Sequence, residues 1–99
     1  MEPRAVVLDV SRYRPAAGKR EEMLAEMKKI VERANNADGC FGAQVCMSSS
    51  DQETLVAVSR WKSRASLEKF SGEVQSIASR DRLTELLDGR AQHEHLTPV

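Results

Sequence analysis

The amino-acid sequence predicts an α+β domain of ferredoxin-like order, β-α-β-β-α-β, with a four-stranded antiparallel sheet carrying its helices on one face. Three observations lead there. Segments with apolar residues at helical spacing alternate with segments rich in β-branched residues, and right-handed crossovers fold that order into such a sheet. Strands one and three bear apolar side chains on both sides, so a single layer of helices leaves one side for a partner to cover. The chain has 99 residues, and no composition shift or Pro/Gly/Ser-rich stretch divides it, so residues 1–99 read as one domain.

Strand one is Ala5 to Tyr13, ended by Arg14-Pro15, because proline disfavours continuing a central strand. From about Ala17, Met23, Leu24, Met27, Ile30, Val31 and Ala34 form one helical stripe. Lys19, Glu21, Glu22, Glu26, Lys28, Lys29, Glu32 and Arg33 cover the remainder, which reads as a solvated face. Asn35-Asn36-Ala37-Asp38-Gly39 stops the helix with residues that tolerate turn geometry. Cys40 to Met47 reads as strand two, Ser48 to Gln52 as a polar hairpin loop, and Glu53 to Trp61 as strand three. Ser63 or Ser66 caps a second helix carrying Leu67, Phe70, Val74, Ile77 and Ala78, with Gly72 a point where it splits. Asp81 is expected to cap a further short turn holding Leu83, Leu86 and Leu87, stopped by Gly89. Arg90 to Leu96 closes the order as a polar strand four.

Composition narrows the function. Lys plus Arg and Asp plus Glu each number 15, so the formal net charge is zero and no basic stripe offers a footprint for nucleic acid. The longest apolar run, Ala5 to Leu8, falls far short of the roughly 20 residues that cross a bilayer, and Met1-Glu2-Pro3-Arg4 lacks the shape of a signal peptide. The expectation is a soluble, cytoplasmic protein with no membrane partner. Cys40 and Cys46 lie about 20 Å apart by strand rise, beyond disulfide reach, and read as reduced, packed thiols. A domain of this size buries only roughly 60–70% of its unfolded surface and gains from association. Alternation puts Val6, Leu8 and Val10 with Val56 and Val58 on the sides away from Val7, Asp9, Ser11 and Tyr13 and from Leu55, Ala57, Ser59 and Trp61. A two-fold homodimer docking sheet against sheet would cover the face the helices leave open.

The valine-rich first strand running into Pro15-Ala-Ala-Gly18, the segment Asn36-Ala-Asp-Gly-Cys40-Phe41, and Val58-Ser-Arg-Trp61-Lys-Ser63 followed by Ala65-Ser-Leu67 and Phe70 carry a resemblance. Over nearly its whole length the chain resembles the antibiotic biosynthesis monooxygenase family, whose members are dimeric α+β barrels. The resemblance implies a cavity between sheet and helices in each protomer. It also implies, for some relatives, oxidation of reduced aromatic polyketides by molecular oxygen with neither metal nor flavin, and for others degradation of haem. Trp61 matches the tryptophan proposed to hold a phenolate in the polyketide oxidases. Ala57 stands where an asparagine is expected, and Arg80 or Arg82 matches the arginine. Ser11 and the Ser79/Arg80 region replace the asparagine and histidine of the haem-degrading branch, which argues against haem.

Taken singly, the residues bear two meanings each. Trp61 is either a stacking surface for a flat aromatic or a packing residue. Asp9, Ser11, Tyr13 and Ser59 share its side of the sheet, as convergent polar groups of a small-molecule site or as solvated strand ends. Asp9 interrupts an apolar run, so it must be paired, protonated or wet: a base with a raised pKa toward a phenol, or the partner of a strand neighbour. His93 and His95 face one side of strand four, able to move protons near neutrality or simply exposed at an edge; with no third ligand in sequence, no metal is expected. Cys46, Met47, Met23 and Met27 read as core fillers. Trp61 and Asp9 are the candidate catalytic residues, with Ser11, Tyr13, Ser59, Arg80, Arg82 and His93 as substrate-binding candidates. The resulting expectation is a homodimeric, cofactor-free monooxygenase acting on a small aromatic quinol or anthrone-like molecule. Its rival is a non-enzymatic ligand-binding or stress-associated dimer of the same fold.

Overall fold

The computed structural model describes residues 7–99. Ala5 and Val6, the predicted start of strand one, lie outside them. In chain order the elements are β1 (Val7–Tyr13), α1 (Arg20–Asn35), β2 (Cys40–Met47), β3 (Leu55–Trp61), α2 (Arg64–Ser71), α3 (Val74–Glu85) and β4 (Gln92–Leu96). The strands form one sheet in the order β2-β3-β1-β4, antiparallel at every pairing. This is the predicted α+β ferredoxin-like arrangement.

Register decides which side chains meet the helices. Asp9 pairs with Ser59 and with His95, and Ser11 pairs with Ala57 and with His93. Alternation therefore gathers Val7, Asp9, Ser11 and Tyr13, Leu55, Ala57, Ser59 and Trp61, and His93 and His95 on one face. The apolar members of that face pack under the helices in two clusters. One joins Val7 and Trp61 to Ala34, Leu67 and Phe70; the other joins Tyr13 and Leu55 to Met23, Met27 and Leu83. Leu8, Val10, Val56 and Val58 belong to the opposite face, outside both helix-packed clusters.

Local chemistry places the helices. Glu21 and Glu22 in the first turn of α1 and Arg33 in its last complement the helix dipole. Its end is tied to the sheet by Asn35, whose side chain donates to Ala43 O at 3.0 Å and accepts from Ala43 N at 2.9 Å, as a neighbouring strand would. Ser63, rather than Ser66, caps α2, accepting from Ser66 N at 3.1 Å. Gly39, with φ at +85°, reaches β2 beside that cap, and any Cβ there would run into the Ser66 side chain.

Four expectations are corrected. The second helix does split at Gly72, but Val74 (82% exposed) and Ile77 (45%) do not face the core. The break reorients α3, so that Ser76 and Leu83, seven residues apart, are the ones turned inward. Asp81 caps nothing: it lies inside α3, which runs unbroken to Glu85. Glu26 is not part of a solvated face. It is buried on α1, where Arg82 reaches it at 3.3 Å and Lys29 at 3.8 Å, so its charge is matched. Met47 is no core filler, being 53% exposed at the end of β2, with its sulfur 3.5 Å from Arg20 Nη2.

Candidate functional site

A cavity of about 350 Å³ lies between the sheet and the helices, within the size range of small-molecule sites. Its walls are largely apolar: Met27, Ile30, Val31 and Ala34 of α1, Leu67 and Phe70 of α2, and Leu83 of α3. The sheet forms the floor, with Ala43, Ala57, Ser59 and Trp61 toward one side and Asp9, Ser11, Tyr13, His93 and His95 toward the other. Arg80 contributes from α3. The outcome is a largely apolar chamber whose acidic, phenolic and imidazole groups gather on β1 and β4, with Ser71, Ser76 and Arg80 the polar groups of the helical side.

Trp61 is 1% exposed, and its ring lies 5.3 Å from that of Phe70 at a tilt of 37°. Its Nε1–H donates to Ser59 Oγ at 2.8 Å, a bond that strand alternation makes local, since the two residues are neighbours on one face. The indole is thereby fixed in orientation, and what it offers to the cavity is ring surface rather than a free donor. Ser59 holds that ring as an acceptor, which leaves its own hydroxyl hydrogen free to donate.

On the polar edge, β4 lays its two inward histidines on β1. His95 Nε2 sits 3.1 Å from Asp9 Oδ1, and His93 Nδ1 sits 2.9 Å from Ser11 Oγ. The His93 ring also meets Tyr13 edge-on, at 5.8 Å and 78°. Burial holds the Asp9 carboxyl above its usual range, against the pull of His95, His93 and the Arg80 charge. Burial likewise pushes the Tyr13 phenol up. Both groups thus favour their neutral forms more than they would in water, as expected of polar groups at the margin of a dry chamber.

Of the sequence-predicted site residues, Asp9, Ser11, Tyr13, Ser59, Trp61, Arg80 and His93 all line this cavity. Asp9 has the strand neighbour as partner that its position suggested. Arg80 is steadied by its Nη1 donating to Ser71 O at 2.8 Å. Arg82 is a correction: it does not line the cavity, because two residues along a helix turn a side chain to a different face, and its guanidinium rests on Glu26. His95, whose role the sequence left open, belongs to the polar edge. Its spacing of two from His93 was the signal that could have placed it there. Among the described residues, no three His, Cys, Asp or Glu side chains come together in a set that could hold a metal ion, and no helix is long and apolar enough to cross a membrane.

Comparison with known proteins agrees with this architecture. Nothing among curated proteins matches the chain. Among solved structures, Rv0793 from Mycobacterium tuberculosis superposes with a TM-score of 0.87 at 24% identity, over 94% of each chain. A conserved protein from Methanosarcina mazei Go1 gives 0.87 at 19% identity, over 94% of this chain and 92% of its own. A protein described as a candidate antibiotic biosynthesis monooxygenase from Caulobacter crescentus CB15 gives 0.86 at 16% identity, over 98% and 92%. At those identities the likeness is one of fold. The sequence profile of antibiotic biosynthesis monooxygenases, in turn, matches residues 7–82, which takes in β1 through α2 and most of α3. The chain belongs to the antibiotic biosynthesis monooxygenase family.

Proposed function

We propose that this protein is a cofactor-independent monooxygenase for a small, flat aromatic of the quinol or anthrone type, working as a homodimer in the cytoplasm. The observation that carries the reading is the cavity itself, an apolar chamber floored by the Trp61 ring with proton-accepting groups confined to one edge. A flat apolar ligand fits such walls, and its hydroxyl or ketone oxygen belongs at the Asp9, Ser11, Tyr13 and His93 edge.

The chemistry follows from that orientation. Loss of a proton at the polar edge makes the ligand an electron-rich enolate or phenolate, which hands electrons to dioxygen. One oxygen atom forms a bond to the ring carbon as a peroxide. The second leaves as water, taking up the proton removed at the start and a hydrogen from the same carbon, so that a ring CH2 becomes a ketone. The substrate supplies all the electrons. Burial of the site keeps water from the carbanion, and the Trp61 face holds the ring flat while it reacts.

Two further features fit the assembly and compartment. Leu8, Val10, Val56 and Val58 lie on the sheet face away from the helices, the surface a second copy would cover. Cys40 and Cys46 are free thiols, in keeping with a reducing compartment. A second reading, a ligand-binding dimer without chemistry, is favoured by Ala57, which faces the cavity floor without a hydrogen-bonding side chain. Oxygen uptake separates the two. With anthrone and a panel of hydroquinones, uptake is expected above the uncatalysed rate and falls roughly tenfold or more in Trp61→Phe, which misplaces the ring. Tight ligand binding without uptake would establish the binding module instead.

A further inference from the structure

Strand β4 contributes nothing to the hydrophobic core. All five of its residues are exposed and it pairs with β1 alone. An edge strand of this kind needs only to be polar, yet both of its inward side chains are histidines seated on cavity residues of β1, and their partners differ. With Asp9 ionised it has no proton to donate, so the 3.1 Å approach of His95 Nε2 to its Oδ1 favours the hydrogen on Nε2. In that state Nδ1 of the same ring holds the lone pair. Ser11, by contrast, has a hydroxyl that can donate or accept, so its 2.9 Å contact imposes no tautomer on His93.

An imidazole oriented by a half-buried carboxylate is the arrangement in which a ring accepts a proton from a bound reactant while the carboxylate holds its direction. The geometry points to His95 as the group that takes the substrate proton, with Asp9 as its positioning residue, and hence to a proton-transfer activity of this cavity that needs no oxygen: enolisation of a ring ketone. This rests on the reading of the cavity as a site for anthrone-like molecules and assigns its first step. The step balances without a redox partner. A C–H bond beside the carbonyl breaks, its proton goes to His95 Nδ1, and its electron pair moves into the enolate. A solvent-derived proton returned to carbon restores the ketone. Arg80 is the fixed positive charge on the same cavity wall, suited to face the enolate oxygen. The titratable or charged groups sharing the cavity with His95 are Asp9, His93, Tyr13 and Arg80.

The test is anaerobic exchange of the ring-CH2 hydrogens of anthrone in deuterated buffer, followed by mass spectrometry, beside oxygen uptake by the same preparations. Wild-type protein is expected to speed exchange with a rate that rises with pH. His95→Gln, which keeps a donor for Asp9, is expected to slow exchange by about a hundredfold or more and to abolish the rising limb. Asp9→Asn slows it less and changes the shape of that limb, which a merely structural role would not do. Exchange at the uncatalysed rate in the folded wild-type protein, an unchanged rate in His95→Gln, or an equal loss in His93→Gln would each overturn the assignment. Exchange without oxygen uptake would keep His95 as the base and remove the monooxygenase reading; uptake without exchange would do the reverse.

Discussion

Asp9 shows how one residue can cost stability where it lines a cavity. Its carboxyl titrates above the ordinary value of 3.8, chiefly because burial strips its water, and the nearby histidines and Arg80 offset that only in part. Between the ordinary value and the raised one the folded chain binds more protons than the unfolded chain, so this group's contribution falls as pH rises through that window and the full cost stands above it. Asp9→Asn removes the ionisation. Its thermal midpoint is expected to exceed that of the wild type at pH 7 and to match it at pH 3, by differential scanning calorimetry. A lower midpoint at pH 7 would mean that the His95 contact outweighs the desolvation. Gains of stability at the expense of activity are common where functional groups are replaced. The alternation of β1 made Asp9, Ser11 and Tyr13 legible as neighbours, because a period of two leaves no choice of face. The Trp61–Ser59 bond is less legible: alternation sets both residues on one face, but whether the indole N–H finds a hydroxyl there depends on rotamers that sequence does not set.

At the scale of elements, β1, α1, β2 and β3 stand where apolar spacing puts them, and the polar β4 follows them in the expected order. The helical region after Ser63 is less legible in the sequence. Gly72 signalled the break, but a break frees the next helix to choose a new azimuth, and nothing local states that Ser76 rather than Val74 turns inward. The same rotation separates two arginines that look equivalent in sequence. Arg80 borders the cavity and Arg82 serves Glu26, a buried carboxylate. Arg80→Ala is therefore expected to weaken anthrone binding, read by quenching of Trp61 fluorescence, with little change in stability. Arg82→Ala is expected to leave binding intact and to cost about 1 kcal/mol in urea unfolding, since it removes the nearer partner of a buried carboxylate that Lys29 still faces. The opposite pairing of effects would move the site to the other face of α3.

For the molecule as a whole, helices cover one face of a sheet whose two faces are both partly apolar. That was apparent from sequence because Val6, Leu8 and Val10 alternate with Val7, Asp9 and Ser11, although what seals the far side is not written in one chain. The proposed sheet-to-sheet homodimer would account for it. Light scattering at micromolar concentration is expected to give twice the chain mass for the wild type, and a shift toward single protomers for Val58→Glu, which sets a charge on the face to be buried. Single protomers in the wild type would remove the homodimer. The size and apolar walls of the cavity arise from the packing of α1, α2 and α3 over the sheet, and no local pattern encodes a space left unfilled.

Labelled dioxygen reports most directly on whether that space is an oxygenase site. Protein freed of metals and flavins and incubated with anthrone under 18O2 is expected to yield a ketone carrying one labelled atom per turnover, with the other in water and the rate depending on Trp61. Absence of turnover, or consumption of oxygen to hydrogen peroxide with unlabelled product, would contradict it.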